Sequence, residues 1–343
     1  MKKLLSMLII LILVFTFSSC ADGKKRYEAE SLQVFDTVTK IIAYSKNKSE
    51  FTELSEFVFD ILNEYHKLYD IYHDYHGINN IKTINDNAGK SPVKVDKKII
   101  DLLLFSKNAY TKTRGKCNVA LGSVLKIWHK YRESGIDDPQ NAKLPDLGSL
   151  RKAASHTDIG KIIIDEKKST VFLADPKMSL DVGAVAKGFA AECVAQEIAL
   201  RGYTSVLISI GGNVIAIGAK PGGSFWNVGI ENPDNDGKEM PTLQLKDKSV
   251  VTSGVYQRYY TVNGKQYHHI IDPEALMPST YFKSVTVVSD DSGLADALST
   301  AVMCMPYEQG KELIDSISGT DAVWVLPDSN ILYSDNFKQY LKK

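Results

Sequence analysis

The 343-residue chain predicts an α+β (mixed α/β) fold, a single catalytic unit in which mixed or antiparallel sheets are flanked by helices. Three observations lead there. Runs with strand period and runs with helix period alternate along most of the length. An Asn263-Gly264 pair separates two strand-like runs, as a hairpin turn does. No repeat, low-complexity tract or Pro/Gly linker divides the chain beyond its first residues. Hydrophobic residues make up 44% and charged residues 24%, a globular composition with ample core. Lys plus Arg (41) balances Asp plus Glu (41), so the charge gives no reason to expect a nucleic-acid partner.

The N-terminus differs from the rest. Lys2 and Lys3 precede an uncharged apolar run over residues 4–17, then Ser18-Ser19-Cys20, which reads as a secretion signal over residues 1–19. The run is short for a membrane-spanning helix. Phe17-Ser18-Ser19-Cys20 is similar to the bacterial lipobox, which implies a lipidated Cys20 and an exported protein anchored on a bacterial membrane. Residues 20–26 would then form the lipidated Cys and a short tether. The other cysteines, Cys117, Cys193 and Cys304, match no zinc or disulfide spacing, and Cys193 and Cys304 read as buried small hydrophobes.

In chain order, residues 34–44 have strand character. Residues 51–70 set Phe51, Leu54, Val58, Leu62 and Tyr65 at helical spacing. The aromatic and histidine cluster at 69–76 fits no standard metal spacing and reads as loop packing. A brief extended piece at 91–96 and a helix at 98–111 follow. A turn at 115–118 leads into a helix over 119–131 carrying Trp128 and His129. Residues 134–146, polar and with two prolines, read as a surface loop. Residues 162–174 form a hairpin pattern turning at 165–168. A short apolar run at 178–180 reads as a strand ending at Asp181, and a helix carrying Val185, Phe189, Val194 and Ile198 runs to Gly202. Strands at 206–210 and 214–217 flank Gly211-Gly212-Asn213. Strands are expected at 226–230, 242–245, 249–252 and 284–289, hairpin arms at 257–262 and 266–271, and a helix at 293–305.

Two places carry chemistry. At the Asp181 junction, Gly183 admits close backbone approach, a helix start exposes unpaired N–H groups, and Lys187 lies one turn in, which favours an anion such as a phosphate. Asp181 could bind a polar ligand group or orient Lys187. An ordinary solvated strand-to-helix connection has the same spacing, and the phosphate-loop and dinucleotide fingerprints are absent. Asp296 and Thr300, four apart, share a helix face and offer hard oxygen donors of the kind that bind Mg²⁺ with phosphates and water. A packed polar stripe, Thr300 bonding back to a carbonyl, is the alternative. His269, beside Asp272-Pro273, suits either a general base or a loop-capping role. Ser253 has no evident triad.

Taken in order, Asp181-Val-Gly-Ala-Val-Ala-Lys187-Gly188, Gly211-Gly212-Asn213, Thr252-Ser253-Gly254, His269-Ile-Ile-Asp272-Pro273 and Ala295-Asp296-Ala-Leu-Ser-Thr300 resemble the ApbE family, FAD:protein FMN transferases. Phe35-Asp36-Thr37 and the stretches 81–85 and 115–128 extend the likeness, which covers about residues 27–337 and leaves 338–343 as a tail. Phe35 replaces the usual Met, Asn118 the usual Asp, and Glu274-Ala-Leu-Met the commoner Thr-Gly. The resemblance implies that Asp181 and Lys187 contact FAD. It implies that the Ala184 carbonyl, Asp296 and Thr300 ligate Mg²⁺, and that Ile271 lies against FAD. Phe35, Lys116, Cys117 and Asn118 correspond to flavin-site positions. His269 is the candidate catalytic or positioning residue, with Asp272 or a metal-bound water next as base. The implied reaction is Mg²⁺-dependent transfer of FMN from FAD to a threonine of an acceptor protein, releasing AMP. The acceptor would be an exported or membrane electron-transfer subunit. An FAD pyrophosphatase or a non-catalytic flavin-binding lipoprotein are the alternatives.

Overall fold

A computed structural model describes residues 23–234 and 236–343. The signal segment and Cys20 lie outside the described residues. Where one strand was expected at 34–44, the chain forms two, β1 (Lys25–Val34) and β2 (Thr37–Ser45). Phe35 and Asp36 adopt φ of 53° and 51°, a left-handed two-residue turn made without glycine. β1 also takes in Lys25 and Arg26, which had been assigned to the tether.

α1 (Lys48–Tyr69) is capped by Asn47, whose side chain accepts from Glu50 N, and buries Phe51, Leu54, Val58 and Leu62. α2 (Ile81–Asp86), not foreseen, owes its start to a capping box between Asn80 and Thr83. β3 (Val93–Lys94) and α3 (Lys97–Lys112) follow. α4 (Gly122–Asp137) starts later than expected and runs into the supposed loop, and a further helix, α5 (Leu147–Ala154), comes after it. β4 (Ile162–Asp165) and β5 (Thr170–Leu173) form the expected hairpin. Residues 178–180 make no strand; Ser179 forms one isolated parallel bridge to Leu121. α6 (Ala186–Leu200) is followed by β6 (Ser205–Ile210) and β7 (Asn213–Gly218). Then come β8 (Trp226–Gly229), β9 (Thr242–Leu245), β10 (Lys248–Gly254), β11 (Tyr259–Val262), β12 (Lys265–His268) and β13 (Ser284–Ser289). α7 (Ser292–Met303), α8 (Tyr307–Asp315), β14 (Asp321–Val325) and β15 (Ile331–Tyr333) complete the chain, the last three unforeseen.

An eight-stranded antiparallel sheet in the order β1-β2-β6-β7-β10-β13-β14-β15 organises these elements. α6 and α7 pack on one face. The β8–β9 pair covers the other, where Trp226, Leu243 and Leu245 meet Val250, Val288 and Val323. β13 is buried along its whole length, with Val285 and Val287 in the core cluster on one face and Val288 in the cluster on the other. A third cluster joins α4 and α5 to the β11–β12 hairpin through Leu121, Trp128, Tyr260 and Ile271. Trp128 Nε1 donates to the Leu276 carbonyl at 3.0 Å. The final residues are tied down: Leu341 bridges Leu243, and Lys342 N donates to Thr242 O at 2.8 Å. Cys193 is half-buried against the core, where full burial was expected, and Cys304 is buried. Among the described residues no helix is long and apolar enough to cross a membrane.

Candidate active site

The β1–β2 turn, the β6–β7 turn, the end of β10, the start of α6, α7, and the base of the β11–β12 hairpin converge on a cleft of about 300 Å³. Phe35, Lys116, Cys117, Asn118, Asp181, Ala184, Lys187, His269, Ile271, Asp296 and Thr300 all line it. Residues from distant parts of the chain thus share one space.

Backbone accounts for the first wall. Asn85 grips Leu180 on both sides, its Oδ1 accepting from Leu180 N at 2.7 Å and its Nδ2 donating to Leu180 O at 3.0 Å. Asp181 N then donates to Val119 O at 2.8 Å. The Asp181 carboxylate accepts from Gly183 N through Oδ1 at 3.0 Å, which folds the turn, while Oδ2 faces His129. Val185, at the N-cap of α6, supplies no side-chain cap, but Val185 N and Ala186 N donate to Val182 O at 3.0 and 2.8 Å, so the Lys187 N–H is the group of the first turn without a partner among the described residues.

One turn on, Gly188 N donates to Asp296 Oδ2 at 2.8 Å. A Cβ at Gly188 would stand 2.4 Å from the Ser292 carbonyl oxygen, so only glycine lets α6 and α7 approach this closely. Asp296 is 4% exposed. Burial pushes its carboxyl pKa up, opposed by the Lys187 charge, the Gly188 N–H and the neighbouring Asn213 amide. That amide's Nδ2 nonetheless makes no hydrogen bond of good geometry within the protein. Thr300 Oγ1 lies 3.5 Å from Ser253 Oγ, which itself bonds Ser299 Oγ at 2.8 Å. Thr300 therefore does not bond back to a carbonyl, as a packed polar stripe would have it.

Along the rest of the cleft many polar groups are already occupied. Lys116 Nζ pairs with Asp272 Oδ1 and Glu274 Oε2, each at 3.0 Å. Burial works against its charge, but the two carboxylates outweigh it and hold the ammonium above its usual pKa. Cys117 is buried, its thiol pushed up to about 12 by desolvation. Asn118 accepts from Ala120 N at 2.9 Å and donates to Thr157 O at 3.0 Å, binding two loops together. Phe35 N donates to His66 Nδ1 at 3.2 Å, and the two rings meet edge-on with centroids 5.8 Å apart. Ile271 is buried and bridges Pro278.

His269 is held by one carbonyl. Its backbone N–H donates to Arg258 O at 3.1 Å, and its Nδ1 lies 3.3 Å from the same oxygen. A carbonyl can only accept, so the proton sits on Nδ1 and the lone pair on Nε2. Burial, with Arg258, His268 and Arg132 close by, pushes the ring down to about 3.

Asn213, quoted above in its glycine motif, and His129, named above on its helix, also line the cleft, as do Tyr72, Arg132, Gln257 and Arg258, which the sequence did not single out. Leu125, His129 and Arg132 recur at i, i+4 and i+7 on α4, a pattern that could have marked the face. Tyr72 comes from the 69–76 cluster, which Asp70 folds by accepting from Tyr72 N at 2.6 Å and Tyr75 Oη at 2.8 Å. Tyr72 Oη meets His129 Nδ1 at 3.0 Å, and His129 Nε2 stands 3.8 Å from Asp181 Oδ2. Burial lowers the His129 pKa despite Asp181.

A model of the ApbE family matches residues 35–324. The FAD:protein FMN transferase of Treponema pallidum is 33% identical over 87% of this chain and 84% of its own length. One from Klebsiella pneumoniae is 31% identical over 82% of this chain and 84% of its own. The crystal structure of the ApbE protein from Thermotoga maritima superposes with a TM-score of 0.81 at 27% identity, covering 93% of this chain and 100% of that one. The flavin transferase ApbE from Vibrio cholerae shares the fold, with a TM-score of 0.77 at 21% identity over 93% and 100% of the two chains. The match runs from Phe35 in the first turn to Trp324 in β14 and spans every residue lining the cleft, so the chain belongs to the ApbE family.

Proposed function

We propose that the chain is an FAD:protein FMN transferase that moves FMN from FAD to a threonine hydroxyl of an acceptor protein and releases AMP. The relatives named above carry that activity in their names. The observation that supports it most in this chain is the convergence of Asp296, Thr300, Lys187 and His269 on one cleft.

Magnesium suits the donor set. A carboxylate, a hydroxyl and a backbone carbonyl are hard oxygen donors, and among the described residues no cluster of three or more His, Cys, Asp or Glu offers a fuller cage. A magnesium ion completed by substrate phosphates and water would be held by Asp296, Thr300 and the Ala184 carbonyl. It would supply positive charge against the pyrophosphate. Asn213 Nδ2, buried and unbonded in the protein, suits a polar ligand atom at the same place.

Lys187, through its ammonium and its backbone N–H, holds the pyrophosphate. The threonine oxygen bonds to the FMN phosphorus, and the bond from that phosphorus to the AMP phosphate breaks. His269 Nε2, neutral and with its lone pair free, takes the threonine proton. Asp272 suits that task less, since Lys116 occupies it. Cys20 would carry the lipid that anchors the protein outside the cytoplasm, and the acceptor would be an exported or membrane electron-transfer protein.

Mixing the protein with FAD and Mg²⁺, with and without an acceptor domain, tests the reading. AMP release coupled to covalent flavin on the acceptor is expected. Fast AMP and FMN release without acceptor would indicate hydrolysis, and no AMP under either condition would leave binding alone.

A further inference from the structure

Two arginines in the cleft have no protein partner. Arg132, on α4, and Arg258, just before β11, both line it. Among the described residues neither guanidinium makes an ion pair, hydrogen bond or ring contact. Three other arginines are engaged, Arg26 with Glu28 at 2.6 Å, Arg114 with Glu312 at 2.9 Å and Arg201 at 3.5 Å from the Phe57 ring centre, while Arg151, also without a protein partner among the described residues, is exposed on α5 and lies outside the cleft. Burial weakens the hold of Arg132 on its proton, Tyr72 offsets this in part, the like charge of Arg258 adds to it, and the negative charges of Glu133 and Asp181 work against it. Arg132 is half-buried and Arg258 exposed, so two like charges line one cleft with no carboxylate in ion-pair reach of either among the described residues. Such a pair is expected where a ligand anion completes it.

The anion can be narrowed by what stands beside it. Both arginines line the same cleft as His269, and the Arg258 carbonyl fixes that ring's tautomer. A base must lie within hydrogen-bond reach of the nucleophile whose proton it takes. The phosphorus under attack lies about 3–3.5 Å from that nucleophile. The group beside the base is therefore the phosphoryl in transit, and the planar guanidinium fork matches its oxygens.

We propose that Arg132 and Arg258 clamp the non-bridging oxygens of the transferred FMN phosphoryl group on the His269 side of the cleft, while Lys187 serves the α6 side. This rests on the transfer reading above. In the step, the threonine oxygen-to-phosphorus bond forms and the phosphorus-to-oxygen bond to AMP breaks, its electron pair leaving on AMP. The threonine proton passes to His269 Nε2, and the arginines neither gain nor lose one. Arginines placed this way act in the transition state and add little to resting FAD affinity.

The test uses the full chain, FAD, Mg²⁺ and an acceptor domain that the wild-type protein flavinylates, with Arg132→Gln, Arg258→Gln, Arg258→Lys and Arg258→Ala. Each glutamine variant should lose about 10²-fold or more in kcat while FAD Kd and acceptor KM stay put. Arg258→Lys should recover part of the loss, and added guanidinium should partly restore Arg258→Ala, which a structural role would not allow. If Arg132→Gln melts early, Arg132→Lys and the guanidinium rescue carry the test. A rise in acceptor KM alone would make the arginines acceptor-recognition residues and overturn the proposal. Weakened FAD binding that accounts for the whole loss, or unchanged kinetics, would also overturn it. A wild-type chain that forms no covalent flavin would overturn the transfer reading first.

Discussion

Asp296→Asn separates chemistry from folding at the centre of the cleft. Asp296 is almost fully buried and accepts the Gly188 N–H at 2.8 Å. Asparagine keeps the volume and an oxygen for that N–H. A charge-assisted hydrogen bond becomes a neutral one, a loss of about 1 kcal/mol. Against this, the cost of keeping a carboxylate out of water, several kcal/mol before compensation, disappears. These terms oppose each other, so stability should change by no more than about 1–2 kcal/mol, a shift of several degrees at most in Tm. Activity has no such compensation. Removing the only carboxylate of the proposed metal site should cut flavin transfer by about 10²–10³ or more, the scale of losing one preorganised charge-stabilising group. AMP release followed across a Mg²⁺ titration, beside a melting curve, reads both quantities. Wild-type rate and unchanged Mg²⁺ half-saturation in this variant and in Asp296→Ala would remove Asp296 from the metal site.

Other consequences follow from the same geometry. Gly188→Ala sets a methyl 2.4 Å from the Ser292 oxygen and 2.5 Å from Asp296 Cβ, so α6 and α7 must part. About 1–3 kcal/mol of stability should go, read from the denaturant midpoint, together with Mg²⁺ affinity. Asn85→Ala leaves the Leu180 N–H and carbonyl unpaired, at about 1–3 kcal/mol for each group that water does not reach. FAD affinity should fall with it, and Asn85→Asp should rescue poorly because a carboxylate cannot donate to Leu180 O. His269, about 3 in the folded protein and 6.5 unfolded, is protonated first in the unfolded chain. Its contribution to stability is complete above the unfolded value and is lost as pH falls from about 6.5 toward 3. His269→Gln should therefore flatten the decline of Tm over that window, and parallel curves would reject the neutral imidazole.

Legibility in the sequence followed the range of the interactions concerned. The β6–β7 turn, the β11–β12 hairpin and the amphipathic helices were readable because glycine turns and apolar spacing act locally. The Phe35-Asp36 turn was not, since two non-glycine residues in left-handed conformation leave no composition signal. Short α2 and α5 depend on single caps, from Asn80 and Asp146, more than on a long apolar stripe. Asp296 and Thr300 stood out by helical spacing, but spacing alone left a packed stripe open until Gly188 and Ser253 were seen against them. Asn85 looks like an ordinary helix residue, and its grip on Leu180, 95 positions away, exists only in the fold. The arginines were hidden for a different reason. What sets Arg132 and Arg258 apart is a missing partner inside the cleft, which only the folded chain makes visible.

The most direct test of the transfer reading is the intact mass of a small FMN-binding acceptor domain co-expressed with this protein. The account predicts one added FMN, joined through a phosphoester at a threonine, that depends on the full chain and disappears with Asp296→Asn. An acceptor of unmodified mass beside a chain that still binds FAD, or FMN and AMP accumulating free in solution, would contradict it.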